Sequence, residues 1–322
     1  MIKPKVSVLG CGRWGTFLAW YSSFCGNQTI LWGREQSNNF NTLLSERKNE
    51  FLTLPPDVEL SSDLSYALTN SDIIIISIKS QALRSLLEQI KKYDYLSKTF
   101  ILCMKGIENN TNLRLSQVFY DVLGSSYVVI WVGPGHVQSF IKGVPNCMVI
   151  DGENETLKQN MIDIFSSELI RFYIGCDLIG NEIGAAAKNV VGIAAGMLDG
   201  LKLTSLKGAL MARAPREIAR LIEAMGGNIV SAYGLAHLGD YEATLFSVNS
   251  NNRAYGEKYI IGGNFNKLAE GITTLDSLIA LSQEKNIDMP ISQCLYSIFY
   301  QNSSPQEALH KLFLRPIKQE FI

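Results

Sequence analysis

Lys5-Val6-Ser7-Val8-Leu9-Gly10-Cys11-Gly12-Arg13-Trp14-Gly15 decides the fold. An apolar run over residues 6–9 meets a Gly-x-Gly-x-x-Gly spacing, and an amphipathic stretch over 14–24 comes next. The glycines alone are a weak signal; strand, glycine turn and helix in that order are the dinucleotide-binding fingerprint. Gly10 permits the tight turn, Gly12 lets a pyrophosphate approach the backbone, and Gly15 lets helix and strand pack closely. The helix start then offers unpaired N–H groups and a partial positive charge to the phosphates.

The pattern repeats outward from this stretch. Apolar runs rich in Ile and Val recur at 29–32, 73–78, 99–104, 127–132 and 147–150. They are apolar at nearly every position, as parallel strands buried on both faces are. Amphipathic stretches at 81–91, 112–123 and 155–166 separate them and predict crossover helices. From Asn181 onward the period becomes helical, over 182–198, 207–225, 275–284 and 290–299. The sequence thus predicts an α/β N-terminal Rossmann-like domain with a parallel sheet over 1–178, and an all-α substrate-binding and catalytic domain over 179–322.

A chain of 322 residues with 47% hydrophobic content and net charge -1 can bury two cores. Near-neutral charge gives no general attraction to nucleic acid or to anionic membrane, so local groups must hold any anionic ligand. No apolar run is long enough to span a bilayer. Cys11, Cys25, Cys103, Cys147, Cys176 and Cys294 are scattered, and no Cys-x-x-Cys pair suggests a metal. Several sit inside apolar runs, as small buried hydrophobes do in a reducing compartment. The start of the chain lacks the pattern of a signal peptide. A cytoplasmic, metal-free protein is expected.

Several residues are candidates for chemistry. Lys188 lies among small apolar neighbours in Ala185-Ala186-Ala187-Lys188-Asn189-Val190-Val191-Gly192. A buried ammonium is costly and its pKa falls readily, which suits a general acid/base; the small neighbours also leave room for a ligand. The plain alternative is a lysine that snorkels to the surface. Lys105 ends the 99–104 strand, at the carboxyl edge where open α/β sheets bind ligands. Ser250-Asn251-Asn252-Arg253 gathers hydroxyl, amide and guanidinium donors suited to phosphate or carboxylate. From pattern alone, Asp240 after Gly239 reads as a turn or helix cap. His136 sits in a turn at a strand end, His237 precedes Asp240, and no Ser/His/Asp order supports a hydrolase. Arg34 and Glu35 end the second strand: the first would suit the 2′-phosphate of NADP, the second the ribose of NAD, and the choice stays open.

With these residues assembled, the chain resembles the NAD(P)-dependent glycerol-3-phosphate dehydrogenases over nearly its whole length. The likeness runs through Gly10-Cys-Gly-Arg-Trp-Gly-Thr16, Leu31-Trp32-Gly33-Arg34, Ser80-Gln81-Ala82-Leu83, Lys105-Gly106, Gly133-Pro134 and Gly143-Val144-Pro145. It continues through Glu182-Ile-Gly-Ala-Ala-Ala-Lys188-Asn189-Val190, Asp199-Gly200, Gly234-Leu235-Ala236-His237-Leu238-Gly239-Asp240, Thr244, Ser250-Asn251-Asn252, Glu270-Gly271 and Met289-Pro290-Ile291. The resemblance implies reversible reduction of dihydroxyacetone phosphate to sn-glycerol 3-phosphate with NAD or NADP, supplying glycerophospholipid synthesis. It implies a C-terminal domain of the 6-phosphogluconate-dehydrogenase-like kind and a homodimer. Carried over by position, Lys188 is the catalytic acid/base, Lys105 lies near substrate carbonyl and phosphate, and Asp240 is the active-site acid. Gly133, Gly135, Asn189, Thr244, Ser250, Asn251, Asn252 and Arg253 fall at substrate positions. Gly10, Gly12, Arg13, Trp14, Gly15, Arg34, Lys105, Val137, Asn251, Leu268 and Glu270 fall at cofactor positions.

The chain also departs from its family. Asn251 stands where an arginine usually contacts phosphate and cofactor, and Arg253, two positions on, is expected to take over. Gly135-His136 replaces the usual Ser/Thr-Phe, Ser139 a common glutamate, and Lys79 a proline. The rival readings are a related dehydrogenase of another small phosphorylated or acidic substrate, and a silent cofactor-binding paralogue. Retention of Lys188, Lys105 and Asp240 argues against the second.

Overall fold

A computed structural model describes residues 3–124, 127–265, 267–316 and 319. β1 (Lys5–Leu9), α1 (Arg13–Phe24) and β2 (Gln28–Trp32) form the expected opening unit. α2 (Asn38–Glu46), β3 (Glu59–Ser61), α3 (Leu64–Thr69), β4 (Ile73–Ile76), α4 (Leu83–Ile90), β5 (Thr99–Leu102), α5 (Leu115–Leu123) and β6 (Val128–Val132) continue the alternation. α6 (Val137–Ile141), β7 (Asn146–Asp151), α7 (Glu155–Phe165) and β8 (Ile170–Ile174) complete one sheet in the order β3-β2-β1-β4-β5-β6-β7-β8. The order reverses between β1 and β4, the crevice where such sheets bind nucleotides. Two apolar layers cover the sheet, one including Phe17, Tyr21, Trp131 and Phe165, the other Leu87, Phe100 and Phe119.

Two features differ from the expectation. β7 runs antiparallel to β6, with Trp131 opposite Ile150, so the sheet is parallel-dominated rather than wholly parallel. β3 and β8 were not foreseen, because edge strands need no continuous apolar run. In β8, Ile170 and Phe172 are buried while Arg171 and Tyr173 are exposed.

The C-terminal part is helical among the described residues: α8 (Leu178–Gly200), α9 (Lys207–Ala224), α10 (Asn251–Ile261), α11 (Gly271–Glu284), α12 (Pro290–Tyr300) and α13 (Pro305–Phe313), with short 3₁₀ and π turns between α9 and α10. α8 is buried almost throughout, with α9, α10 and α11 packed around it. Its small residues have a specific cause. A Cβ on Gly196 would fall 1.9 Å from the Arg253 carbonyl oxygen, and one on Gly256 would fall 2.1 Å from that of Ile193. The two helices cross backbone to backbone. The room that these glycines leave is filled by α10, not kept for a ligand.

Candidate active site

The glycine turn is built as its spacing requires. Gly10 has φ +121, and a Cβ there would lie 2.2 Å from the Ser77 carbonyl oxygen. A Cβ on Gly15 would lie 1.9 Å from the Gly10 carbonyl oxygen. Nothing lies within 4 Å of the Cβ position of Gly12, so this point of the backbone is open. α1 has neither a side-chain cap nor an acidic residue in its first turn. An uncapped helix start above an open glycine fits the pyrophosphate of a dinucleotide. Trp14 packs on Phe17 and Phe140, and Val137 is buried beside them. Arg34, Glu35 and Leu268 are exposed.

Across the crevice, two lysines meet one carboxylate. Lys105 follows β5 and donates to Asp240 Oδ2 and to the Gly133 carbonyl, each at 2.8 Å. Lys188, from the middle of α8, reaches the same Oδ2 and donates to Thr244 Oγ1 at 3.0 Å. Asp240 is 1% exposed, in a 3₁₀ turn, where its carboxylate pairs with lysines instead of capping a helix. Burial draws Lys188 down to about 7. Asp240 pulls upward and the neighbouring Lys105 adds to the fall. A lysine at this value both donates and accepts a proton near neutrality.

An amide relay borders the cluster. Asn252 Nδ2 donates to Asn189 Oδ1 at 3.1 Å, and the Gly271 amide donates to Asn252 Oδ1 at 3.0 Å. Glu270, just before α11, accepts from the Ser80 amide and hydroxyl at 3.0 Å each, which ties the helical part to the loop after β4. Ser250 caps α10 by accepting from the Arg253 amide. Asn251 opens that helix, half-buried, close to Asn249, whose carbonyl accepts from Arg13 at 3.3 Å.

Arg253 does not join the lysines. Its Nε lies 2.7 Å from Asp199 Oδ2, and its Nη2 lies 3.3 Å from Glu257 Oε2. Asp199 is eleven residues beyond Lys188 on α8, about 16 Å along the axis. The backbone crossing at Gly196 turns Arg253 toward that end. Gly135 has φ +152, and a Cβ there would strike the Phe140 ring at 2.3 Å, so this chain cannot carry the usual Ser or Thr without moving that ring. His136 Nε2 is buried and has no hydrogen-bond partner among the described residues. Burial lowers the His136 pKa, Asp240 opposes the fall, and Arg13 and Lys188 deepen it.

Sequence reasoning missed three buried links. Glu182 accepts from Arg114, from the Ser116 amide at 2.8 Å and from the Ser116 hydroxyl at 2.6 Å, joining α8 to the start of α5. A lone acid in an Ala-rich helix was the same signal that marked Lys188. Ser80, which receives Glu270, stood in the motif without an assigned partner. His237 bonds the Gly184 carbonyl and Tyr241, and no spacing rule would have found that.

Comparison with known proteins bears on this site. Two family models match: the N-terminus of NAD-dependent glycerol-3-phosphate dehydrogenase over residues 5–158, and its C-terminus over 177–310. The chain belongs to the NAD-dependent glycerol-3-phosphate dehydrogenase family. It is 35% identical to the glycerol-3-phosphate dehydrogenase [NAD(P)+] of Thermoanaerobacter sp. (strain X514), over 98% of each chain. It is 32% identical to the Staphylococcus aureus (strain JH9) enzyme of that name, over 98% of this chain and 99% of that one. The crystal structure of glycerol-3-phosphate dehydrogenase from Coxiella burnetii superposes with TM-score 0.91 at 27% identity, over 97% of this chain and 99% of that one. The expected family and Rossmann-type fold are borne out. So is the enzyme class, an oxidoreductase using a nicotinamide dinucleotide. Among the described residues no group of His, Cys, Asp and Glu could hold a metal, and no helix is long and apolar enough to cross a membrane.

Proposed function

We propose that this member of the NAD-dependent glycerol-3-phosphate dehydrogenase family interconverts sn-glycerol 3-phosphate and dihydroxyacetone phosphate with Lys188 carrying the proton. One observation carries the reading: two lysines from different parts of the chain converge on the buried oxygen of Asp240. When bound, the nicotinamide supplies the hydride to the carbonyl carbon. Lys188 gives its proton to the developing alkoxide, and in the reverse direction takes it from the alcohol. Asp240 offsets the charge of both ammonium groups and holds them side by side. Lys105, paired with the same carboxylate, faces the reacting oxygen and the phosphate. Thr244 orients the Lys188 ammonium, and the relay of Asn189, Asn252 and Gly271 fixes the floor of the site.

The phosphate needs a second cation. Arg13 is better placed for it than Arg253, since it reaches the Asn249 carbonyl just before the cap of α10, two residues from the position where the family usually has arginine. Arg13 then serves substrate as well as cofactor. A division near residue 178 goes with this: residues before α8 hold the dinucleotide and lend Lys105 and Arg13 to the substrate, and α8 together with the helices after it supplies the rest of the substrate site. Six free cysteines suit a reducing cytoplasm. We extend the reading to a homodimer that supplies glycerol 3-phosphate for glycerophospholipid synthesis. The rival reading, a different small phosphorylated or acidic substrate, rests on Asn251 and on the Gly135-His136 pair.

Initial rates with dihydroxyacetone phosphate and other small ketones, each with NADH and NADPH, test the proposal. Dihydroxyacetone phosphate should be the preferred substrate by a wide margin, and equal or better rates with an unphosphorylated ketone would reject it. The same assay on Arg34→Ala reads cofactor choice. A loss confined to NADPH assigns Arg34 to the 2′-phosphate, and no loss leaves it a solvated turn residue.

A further inference from the structure

His237 is fully buried, yet proton and hydride transfer make no use of it. Its Nδ1 lies 2.8 Å from the Gly184 carbonyl oxygen, and its Nε2 lies 2.7 Å from the Tyr241 hydroxyl. A carbonyl only accepts, so Nδ1 carries the hydrogen and Nε2 accepts from the phenol. The ring is neutral, because burial lowers its pKa to about 4. Lys188 pushes the same way, while the bond to Gly184 and the charge of Asp240 oppose it. With both nitrogens occupied and no exposure, His237 moves no proton in turnover.

Its partners explain its place. Gly184 lies one helical turn before Lys188, and in an α-helix the carbonyl of residue 184 receives the amide of residue 188. The imidazole therefore grips the turn from which Lys188 projects. Glycine makes the grip possible: a Cβ on residue 184 would lie 2.9 Å from His237 Cβ. On the other side, Tyr241 follows Asp240 directly, is fully buried, and sets its ring edge-on to the imidazole at 4.9 Å. The Asp240 amide also donates to the His237 carbonyl at 3.1 Å. Asp240 thus sits on a short segment anchored on both sides by one imidazole. Its carboxylate is held by two flexible lysine ammonium groups, which set no direction of their own.

We propose that His237 is a positioning residue: bonded to the Gly184 carbonyl of α8 and to the Tyr241 hydroxyl, it fixes the Asp240 carboxylate against the Lys188 ammonium. This rests on the reading of Lys188 as the proton carrier. Removing the imidazole frees the Asp240 segment and weakens the carboxylate's hold on Lys188. Lys188 also faces Lys105, which pushes its proton off, so losing Asp240 lowers the pH at which it is half protonated.

The test is the pH dependence of kcat for dihydroxyacetone phosphate reduction, read with KM for the nicotinamide and with thermal unfolding. His237→Leu should lower kcat at neutral pH about 10- to 100-fold. It should move the break in the profile down by about one pH unit and leave nicotinamide KM unchanged. His237→Asn keeps an N–H where Nδ1 stands and should restore most of kcat and the original break. Tyr241→Phe removes one bond with little volume change and should shift the break in the same direction by less, which covers the case of an unfolded leucine variant. A folded His237→Leu or Tyr241→Phe that unfolds at lower temperature but keeps the wild-type break would overturn the proposal and leave His237 an ordinary core residue. Lys188→Met separates this from failure of the underlying reading. If the wild-type break survives in Lys188→Met, the break never belonged to Lys188, and reading and proposal fall together.

Discussion

α8 carries two clusters of the same composition, one carboxylate with two cations, and they behave differently. Near its middle, Lys188 and Lys105 share Asp240. At its end, Lys207 and Arg253 share Asp199, each at 2.7 Å. The second cluster is closed by its surroundings. The Thr204 hydroxyl donates to Asp199, Lys207 also donates to the Leu245 carbonyl, and Arg253 also meets Glu257. It fastens α8, α9 and α10 together. In the first cluster Lys105 keeps the most exposure of the four cations, 21% of its side chain, and burial brings Lys188 to about 7. Charge composition therefore does not mark a catalytic site. What sets the proposed site apart is a lysine that burial brings to about 7, beside a second lysine at the carboxyl edge of the sheet.

Three substitutions can undo this contrast, and the largest effect belongs to the first cluster. Lys188→Met should cut turnover by roughly 100-fold or more, the usual worth of acid/base catalysis, while dinucleotide binding measured by fluorescence titration is retained. Near-normal turnover in the folded variant would place the two clusters in the same structural class. Arg13→Ala comes next. Losing a charge-assisted contact to phosphate, about 1.5–3 kcal/mol, should raise the substrate KM by about tenfold or more. The smallest catalytic effect is expected from Arg253→Ala, whose guanidinium belongs to the second cluster. Unfolding in urea should register a loss of about 1–3 kcal/mol, with substrate KM nearly unchanged. A strong rise in KM there, with none for Arg13→Ala, would return the phosphate to Arg253, as the sequence alone suggested.

That reversal over Arg253 illustrates what a sequence can and cannot carry. The strands β1, β2, β4, β5, β6 and β7 were legible because continuous burial writes itself as continuous Val and Ile. Lys188 was legible because a lysine among alanines advertises its own cost. The pairing of Asp240 with two lysines was not legible from pattern alone, since a carboxylate after glycine looks the same in a turn cap as in a buried ion cluster; only the family resemblance pointed to it. The direction of Arg253 was beyond reach for a different reason. It depends on how closely α10 crosses α8, set by Gly196 and Gly256 together, and those glycines lie 60 positions apart in the chain. The tie from His237 to Gly184 spans 53 positions and is equally non-local.

The proposed mechanism turns on Lys188, brought to about 7 and paired with Asp240, as the carrier of the proton. Single-turnover rates in both directions, across a pH range of about 6 to 8, put this to the test. A depressed lysine is protonated below its pKa and neutral above it. The rate of dihydroxyacetone phosphate reduction should therefore fall as pH rises through about 7, and the rate of glycerol 3-phosphate oxidation should rise through the same value. Rates that are flat over this range, or that move together in both directions, would rule out Lys188 as the proton carrier.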